Sequence, residues 1–211
     1  MTDPSACPVE RHPFEPFLPE NAKVLFLGSF PPQPKRWSMD FYYPNWINDF
    51  WRICGLLFFG ERTHFERSGE KAFDKARIVS FCHEKGLAMY DTATEIRRLM
   101  DNASDKFLEV VTPTDIPALL DRIPQCRAIV TTGQKATETL CAAFGCQEPP
   151  MGGQLPLHTG SRTLQFWRLP STSRAYPLAL EKKAAAYRAL FLDLGLLPVP
   201  ARPVMDESRA V

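Results

Sequence analysis

The sequence predicts an α/β fold of three layers, with helices on both faces of a central four-stranded parallel sheet. Three observations carry this reading. Four short apolar runs recur along the chain, each closed by turn residues and too short for a helix. Segments with helical apolar spacing lie between them. Each run is followed by a polar segment, GSFPP, YDTATE, TTGQKA or LPSTSR. In such sheets ligands sit at the carboxyl ends of the strands, so these segments together form one candidate pocket.

Residues 1–20 are rich in proline and charge and are expected to form an arm that packs late or not at all. Residues 23–28 are the first strand. Pro31, Pro32 and Pro34 forbid a helix directly after it. Residues 46–58 carry a wide apolar helical face through Trp46, Phe50, Trp51, Ile53, Cys54 and Leu57. A second helix is expected over 70–84, and a second strand over 86–90, ended by Asp91. Residues 92–105 are mixed. Residues 115–122 form a short helix capped by Thr114 or Asp115. Residues 127–131 are the third strand and 134–144 the next helix. Residues 145–161, rich in Gly and Pro, read as loop. Residues 163–169 are the fourth strand, and 178–194 a last amphipathic helix. Residues 198–211 read as a disordered tail. The expected domain therefore spans 21–197.

Composition narrows the function. A net charge of +1 excludes a protein whose whole surface is a basic field, so any nucleic-acid contact is a local patch. The six cysteines contain no Cys-x-x-Cys pair. They read as free buried thiols of a reducing compartment, and no metal or other cofactor is expected. No apolar run approaches the roughly 20 residues of a membrane span, and the N-terminal stretch lacks a basic region followed by an apolar core, so no signal peptide is expected. The expectation is a cytoplasmic monomer without a membrane partner.

The stretch from Lys23 to Trp51 is the most informative. After the strand it carries Trp37, Phe41, Tyr42, Tyr43, Trp46, Phe50 and Trp51, with Asn45 and Asn48 among them. Aromatic faces and amides on a strand-end loop suit a flat, polar-edged ligand such as a nucleobase.

Here the sequence resembles the uracil-DNA glycosylase superfamily, and within it the hypoxanthine-DNA glycosylase branch, family 6. The resemblance runs through Leu27-Gly28-Ser29-Phe30-Pro31, Tyr42-Tyr43, Asn48-Asp49-Phe50-Trp51, Asp91, Gly133-Gln134-Lys135-Ala136 and Leu169-Pro170-Ser171-Thr172-Ser173. It covers roughly residues 23–195 in order. Two usual catalytic positions differ. Phe30 stands where most branches carry Asp or Asn, and Leu169 where several carry His or Asn. Arg174-Ala175-Tyr176 replaces the Pro-Ala-Asn of the second motif.

The resemblance implies a uracil-DNA glycosylase-like fold and a monofunctional DNA N-glycosylase that flips a deaminated base, uracil or hypoxanthine, out of DNA. It implies Asn48 as the amide that positions water or reads the base; a helix-capping role is the alternative. It implies Gly28, Ser29 and Phe30 as base-binding, with the Phe30 backbone amide on a base carbonyl. Tyr42 or Tyr43 would stack on the base or pack in the core. Pro170, Ser171, Thr172, Ser173 and Arg174 would bind DNA, or the serines would form a Ser/Thr turn. Lys35, Arg36 and Lys135 are further phosphate candidates or solvated surface residues, Asp91 a loop brace or a direct participant in catalysis, and His158 a structural or exposed residue or a functional one; Asn45 is the fallback for Asn48. Two other classes remain open: a non-catalytic nucleic-acid binder on the same fold, and a hydrolase of free nucleosides or nucleotides.

Overall fold

The computed structural model describes residues 7–100, 105–160 and 162–198. Beyond Pro198 the tail lies outside them. Eight strands and five helices follow in chain order: β1 Val9–Arg11, β2 Val24–Gly28, α1 Phe50–Phe59, α2 Lys75–Lys85, β3 Leu87–Asp91, β4 Ala93–Arg98, β5 Leu108–Pro113, α3 Ile116–Asp121, β6 Ala128–Thr132, α4 Gln134–Phe144, β7 Gln154–Thr159, β8 Arg162–Leu169 and α5 Leu180–Asp193.

The central sheet has the order β3-β2-β6-β8-β7. Its first four strands are parallel, as the sequence predicts. The fifth, β7, pairs antiparallel with β8 inside the segment expected to be loop. Pro156 interrupts its pattern, and an edge strand tolerates proline because one side of its backbone is unpaired. The sheet therefore has five strands, not four.

Leu25 and Phe26 are fully buried, as a strand covered on both faces requires. Phe26 meets Phe50 of α1 and Phe191 of α5, so these helices cover one face. Leu27 and its neighbour Thr131 face the other side, where Thr131 Oγ1 lies 2.8 Å from Thr137 Oγ1 of α4.

A second, antiparallel sheet of order β1-β4-β5 was not expected. β4 begins two residues after β3 ends, so this sheet stands on the carboxyl edge of the first. Phe30 packs beneath it with Ala93, Ile96 and Leu108. Thus residues 7–20 do not form a loose arm: β1 pairs with β4, and Phe17 exchanges backbone hydrogen bonds with Met89.

Local chemistry also shifts two helix starts. α1 begins at Phe50 because Asn45–Asn48 forms a turn closed by Asn48 N–H donating to Asn45 O at 2.8 Å. α2 begins at Lys75 because the Asp74 carboxylate accepts from Arg77 N–H at 3.0 Å, an N-cap. Asp115 likewise caps α3, accepting from Ala118 N–H. Cys54, Cys82, Cys126 and Cys141 are buried free thiols. Burial pushes Cys126 up to about 11.

Candidate active site

A cavity of about 120 Å³ opens at the carboxyl edge of the parallel strands. Cavities of roughly 150 Å³ hold one six-membered ring, so this one has single-ring size. Every parallel strand end contributes: Gly28 and Ser29 after β2, Asp91 after β3, Thr132 after β6, and Ser171, Thr172 and Ser173 after β8. Phe14, Phe30, Tyr42, Tyr43, Asn45 and Asn48 are among the other wall residues, and Arg98 of β4 and Asp105, from the turn before β5, join them. Four expected segments thus converge, and the N-terminal segment joins them.

Asn48 precedes α1. Its Oδ1 accepts from Phe50 N–H at 2.9 Å, so it satisfies the first backbone donor of the helix from one residue before the cap position, which Asp49 occupies. That contact also fixes the amide: one lone pair is spent, and the Nδ2 hydrogens and the second lone pair remain for a ligand of the cavity that Asn48 lines. Arg52, buried in α1, donates to Asn48 O at 3.0 Å and to Trp46 O at 2.7 Å. Its Nε pairs with Glu66 at 2.6 Å, and its guanidinium lies over the Trp46 ring. The backbone around Asn48 is therefore gripped from both sides.

Asp49 joins this turn to the second motif. Its N–H donates to Thr172 O at 2.8 Å, and Asn48 and Ser173 pair as an antiparallel bridge. Its carboxylate accepts from Lys183 Nζ at 3.1 Å and Arg174 Nε at 3.1 Å. Lys183, on α5, is fully buried and also donates to Ser173 O at 2.9 Å. Nothing in the sequence pattern of α5 singles out this lysine, because helices commonly carry lysine on a solvated face.

Asp91 does more than brace a loop. His12 Nε2 donates to its Oδ2 at 2.9 Å, with side-chain exposures of 3% and 10%. Nδ1 of His12 lies 3.1 Å from Phe14 N and 2.8 Å from Phe14 O, so the backbone serves the neutral ring or the imidazolium. The other oxygen, Oδ1, lies against Gly28, where a Cβ would collide with it. A glycine at 28 is what lets a carboxylate approach the strand end. His12 escapes sequence reasoning because it lies 79 residues from its partner.

The two tyrosines separate. Tyr42 is core: its hydroxyl donates to Glu15 O at 2.8 Å, and only part of the side chain reaches the cavity. Tyr43 stacks on Phe50 at 3.9 Å, leaving its other face free of that contact, and its hydroxyl meets Thr132 Oγ1 at 3.1 Å. It has φ of 52°, a backbone conformation costly for tyrosine, of a kind that clusters at functional sites. Burial pushes both phenols far up, so both are neutral.

Two expected site residues do not line the cavity. Pro170 is buried below it, its carbonyl accepting from Tyr187 Oη at 3.1 Å. Arg174 turns back to Asp49, with 44% of its side chain exposed at the mouth. Ser171 and Ser173 do form Ser/Thr turns, their hydroxyls accepting from Ser173 N–H and Ala175 N–H. Lys35 and Arg36 are exposed on the turn Pro34–Arg36, after the first motif. His158 pairs with Thr163 near the start of β8, at the opposite edge of the sheet. Among the described residues no group of three or more His, Cys, Asp or Glu could hold a metal, and no helix is long and apolar enough to cross a membrane.

No protein-family profile and no curated protein matches the sequence. Among solved structures, the solution structure of a candidate uracil DNA glycosylase from Methanosarcina acetivorans is similar, with a TM-score of 0.60 and 22% identity. The likeness covers 89% of this chain and 99% of that one. It shows that this chain has a uracil DNA glycosylase-like fold.

The Asp49 clamp has a measurable consequence. Lys183→Met removes one partner of a buried ion pair and leaves Asp49 with Arg174 alone. Urea unfolding should show a loss of about 3 kcal/mol. The double variant Asp49→Asn, Lys183→Met should recover most of it, because no unpaired charge is then buried.

Proposed function

We propose that this chain is a member of the uracil-DNA glycosylase superfamily that hydrolyses the N-glycosidic bond of a deaminated base flipped out of DNA. The observation that carries the reading is the convergence of the motif residues on one single-ring cavity, with the rigidly held Asn48 amide in its wall. The fold likeness supports it independently.

The reaction breaks the bond between C1′ and the base nitrogen. The electron pair leaves on the base, positive charge builds on the sugar, and a water oxygen bonds to C1′. Asn48 is a weak base but a good positioner. Its Nδ2 hydrogens and spare lone pair hold the water or a base edge, while its other lone pair stays on the helix. Oδ1 of Asp91 accepts from a second donor, or stabilises the sugar cation. Tyr43 supplies a ring face and Phe30 a wall. No acid side chain stands at Phe30 or Leu169, so the reading demands a base that leaves well. Of uracil and hypoxanthine, a single-ring cavity favours uracil.

The DNA backbone would meet the mouth at Ser171, Thr172 and Ser173, with Arg174 beside them. Arg174 keeps its Nε on Asp49 and turns its remaining guanidinium hydrogens outward, where a phosphate fits. Lys35, Arg36 and Lys135 are further candidates for phosphate contact.

Two experiments test this. The first is a base-excision assay, with alkaline strand scission as readout, on oligonucleotides carrying uracil, hypoxanthine, xanthine or mismatched thymine. Excision should be fastest at uracil. No excision at any of them would overturn the reading in favour of a binder that lacks the chemistry. The second is salt dependence. Arg174→Ala should weaken DNA binding for all sequences and lower the salt slope by about one counterion. An unchanged slope would leave Arg174 only its structural bond to Asp49.

A further inference from the structure

We propose that Asp105 is a catalytic acid of this cavity and hands a proton to the departing base. The inference rests on the glycosylase reading above.

Asp105 opens the turn Asp105–Phe107 that leads into β5, and it lines the cavity from that turn. Ser29 of the first motif lies beside it and favours its charged form. The charged groups around it are Asp91 at the end of β3, Arg98 at the end of β4 and Lys135 in the first turn of α4. Two of these are committed elsewhere. Arg98 makes a bidentate pair with Glu10, both contacts at 3.1 Å, and also donates to Pro31 O at 3.1 Å. Asp91 is held by His12. Among the described residues Asp105 has no ion-pair partner within reach.

The two carboxyls of the cavity are thus in opposite circumstances. Asp91 has a histidine ring against it. Asp105 forms no ion pair among the described residues: Ser29 is beside it, and Arg98 and Lys135 act on it without pairing. Burial first, and then the charge of Asp91, raise the Asp105 carboxyl above the usual range. Ser29, Arg98 and Lys135 pull it partly back. Carboxyl pairs whose surroundings diverge in this way divide the work of acid and charged group. Ser29 suits both states, since its hydroxyl accepts from the acid and donates to the carboxylate.

The step balances. The C1′–N bond breaks and its electron pair goes to the base. The Asp105 O–H proton passes to a nitrogen or carbonyl oxygen of that base, leaving a carboxylate. Water adds to C1′ and releases one proton to solvent, and solvent returns one to Asp105. This supplies help to the leaving group that neither Phe30 nor Leu169 can give.

The test is leaving-group dependence. Asp105→Asn keeps the shape and loses the proton. Single-turnover excision is measured for wild type and variant, on uracil and on 5-fluorouracil, which leaves as a more stable anion. The variant should lose about 100-fold or more on uracil, the lower end of what general acids supply, and less than about tenfold on 5-fluorouracil. The wild-type rate on uracil should fall as pH rises through the raised Asp105 ionisation, and that fall should be absent from the variant. Because the comparison is a ratio between two substrates, a partly misfolded variant does not distort it. Equal losses on both bases, or no loss on uracil, would overturn the role of Asp105 and leave the glycosylase reading standing. Wild-type protein inactive on both bases would overturn the role of Asp105 in uracil release, and inactivity on hypoxanthine, xanthine and mismatched thymine as well would overturn both.

Discussion

The Asp49 carboxylate, shared by a fully buried lysine and a half-exposed arginine, is the constraint on which the site depends. Two loops from opposite ends of the chain must meet with side-chain accuracy. One precedes α1 and carries Asn48; the other follows β8 and carries Ser171 to Ser173. Asp49 belongs to the first, Arg174 to the second, and Lys183 comes from α5, which packs on α1. Taking such charges out of water costs several kcal/mol per ion, and apolar residues would often serve stability as well. What apolar residues cannot supply is direction. Lys183 donates to Asp49 and to Ser173 O together, and Asp49 N–H donates to Thr172 O. These contacts set the register between the loops, and the Asn48–Ser173 bridge follows from that register.

Around this clamp the molecule separates into a floor and a roof. The floor is the parallel sheet, whose strands are buried on both faces and whose ends present small polar groups. The roof is the antiparallel sheet with the N-terminal segment. Phe30 joins the two, with its backbone in the first motif and its ring in the small core beneath β4 and β5. An apolar ring at this position thereby has a structural role. The ring anchors the sheet that brings Arg98 and Asp105 over the cavity. The charged groups at the site are paired with partners remote in sequence: the Asp91 carboxyl with His12, and the Arg98 guanidinium with Glu10.

Much of the floor was legible in the sequence, because a strand buried on both faces leaves an uninterrupted apolar run. Val24–Gly28, Leu87–Asp91 and Ala128–Thr132 each fall within one residue of the expected bounds, and α4 matches its expected range. The roof was not legible. Ala93–Arg98 is half solvated, carries adjacent arginines and has a register irregularity against β5, so no alternation survives. β7 hides among prolines that an edge strand accepts. His12, Asp105 and Lys183 were missed for a shared reason: each is an ordinary polar residue whose meaning lies in a partner remote in sequence. Tyr42 shows the converse. Its place in a motif suggests a ligand contact, while its hydroxyl is spent on Glu15 O in the core.

If the clamp holds the Asn48 amide for chemistry and does not merely start a helix, Asn48→Ala loses excision while it keeps its fold. Single-turnover excision by this variant is measured beside its unfolding free energy and its DNA affinity. Removing one preorganised amide should slow excision at least about 100-fold, on the order of 3 kcal/mol. Stability should fall by no more than about 2 kcal/mol, the usual upper cost of a lost cap. DNA affinity should hardly change, since phosphate contacts carry most of it. Excision within about threefold of wild type would contradict the account and leave Asn48 as a cap alone.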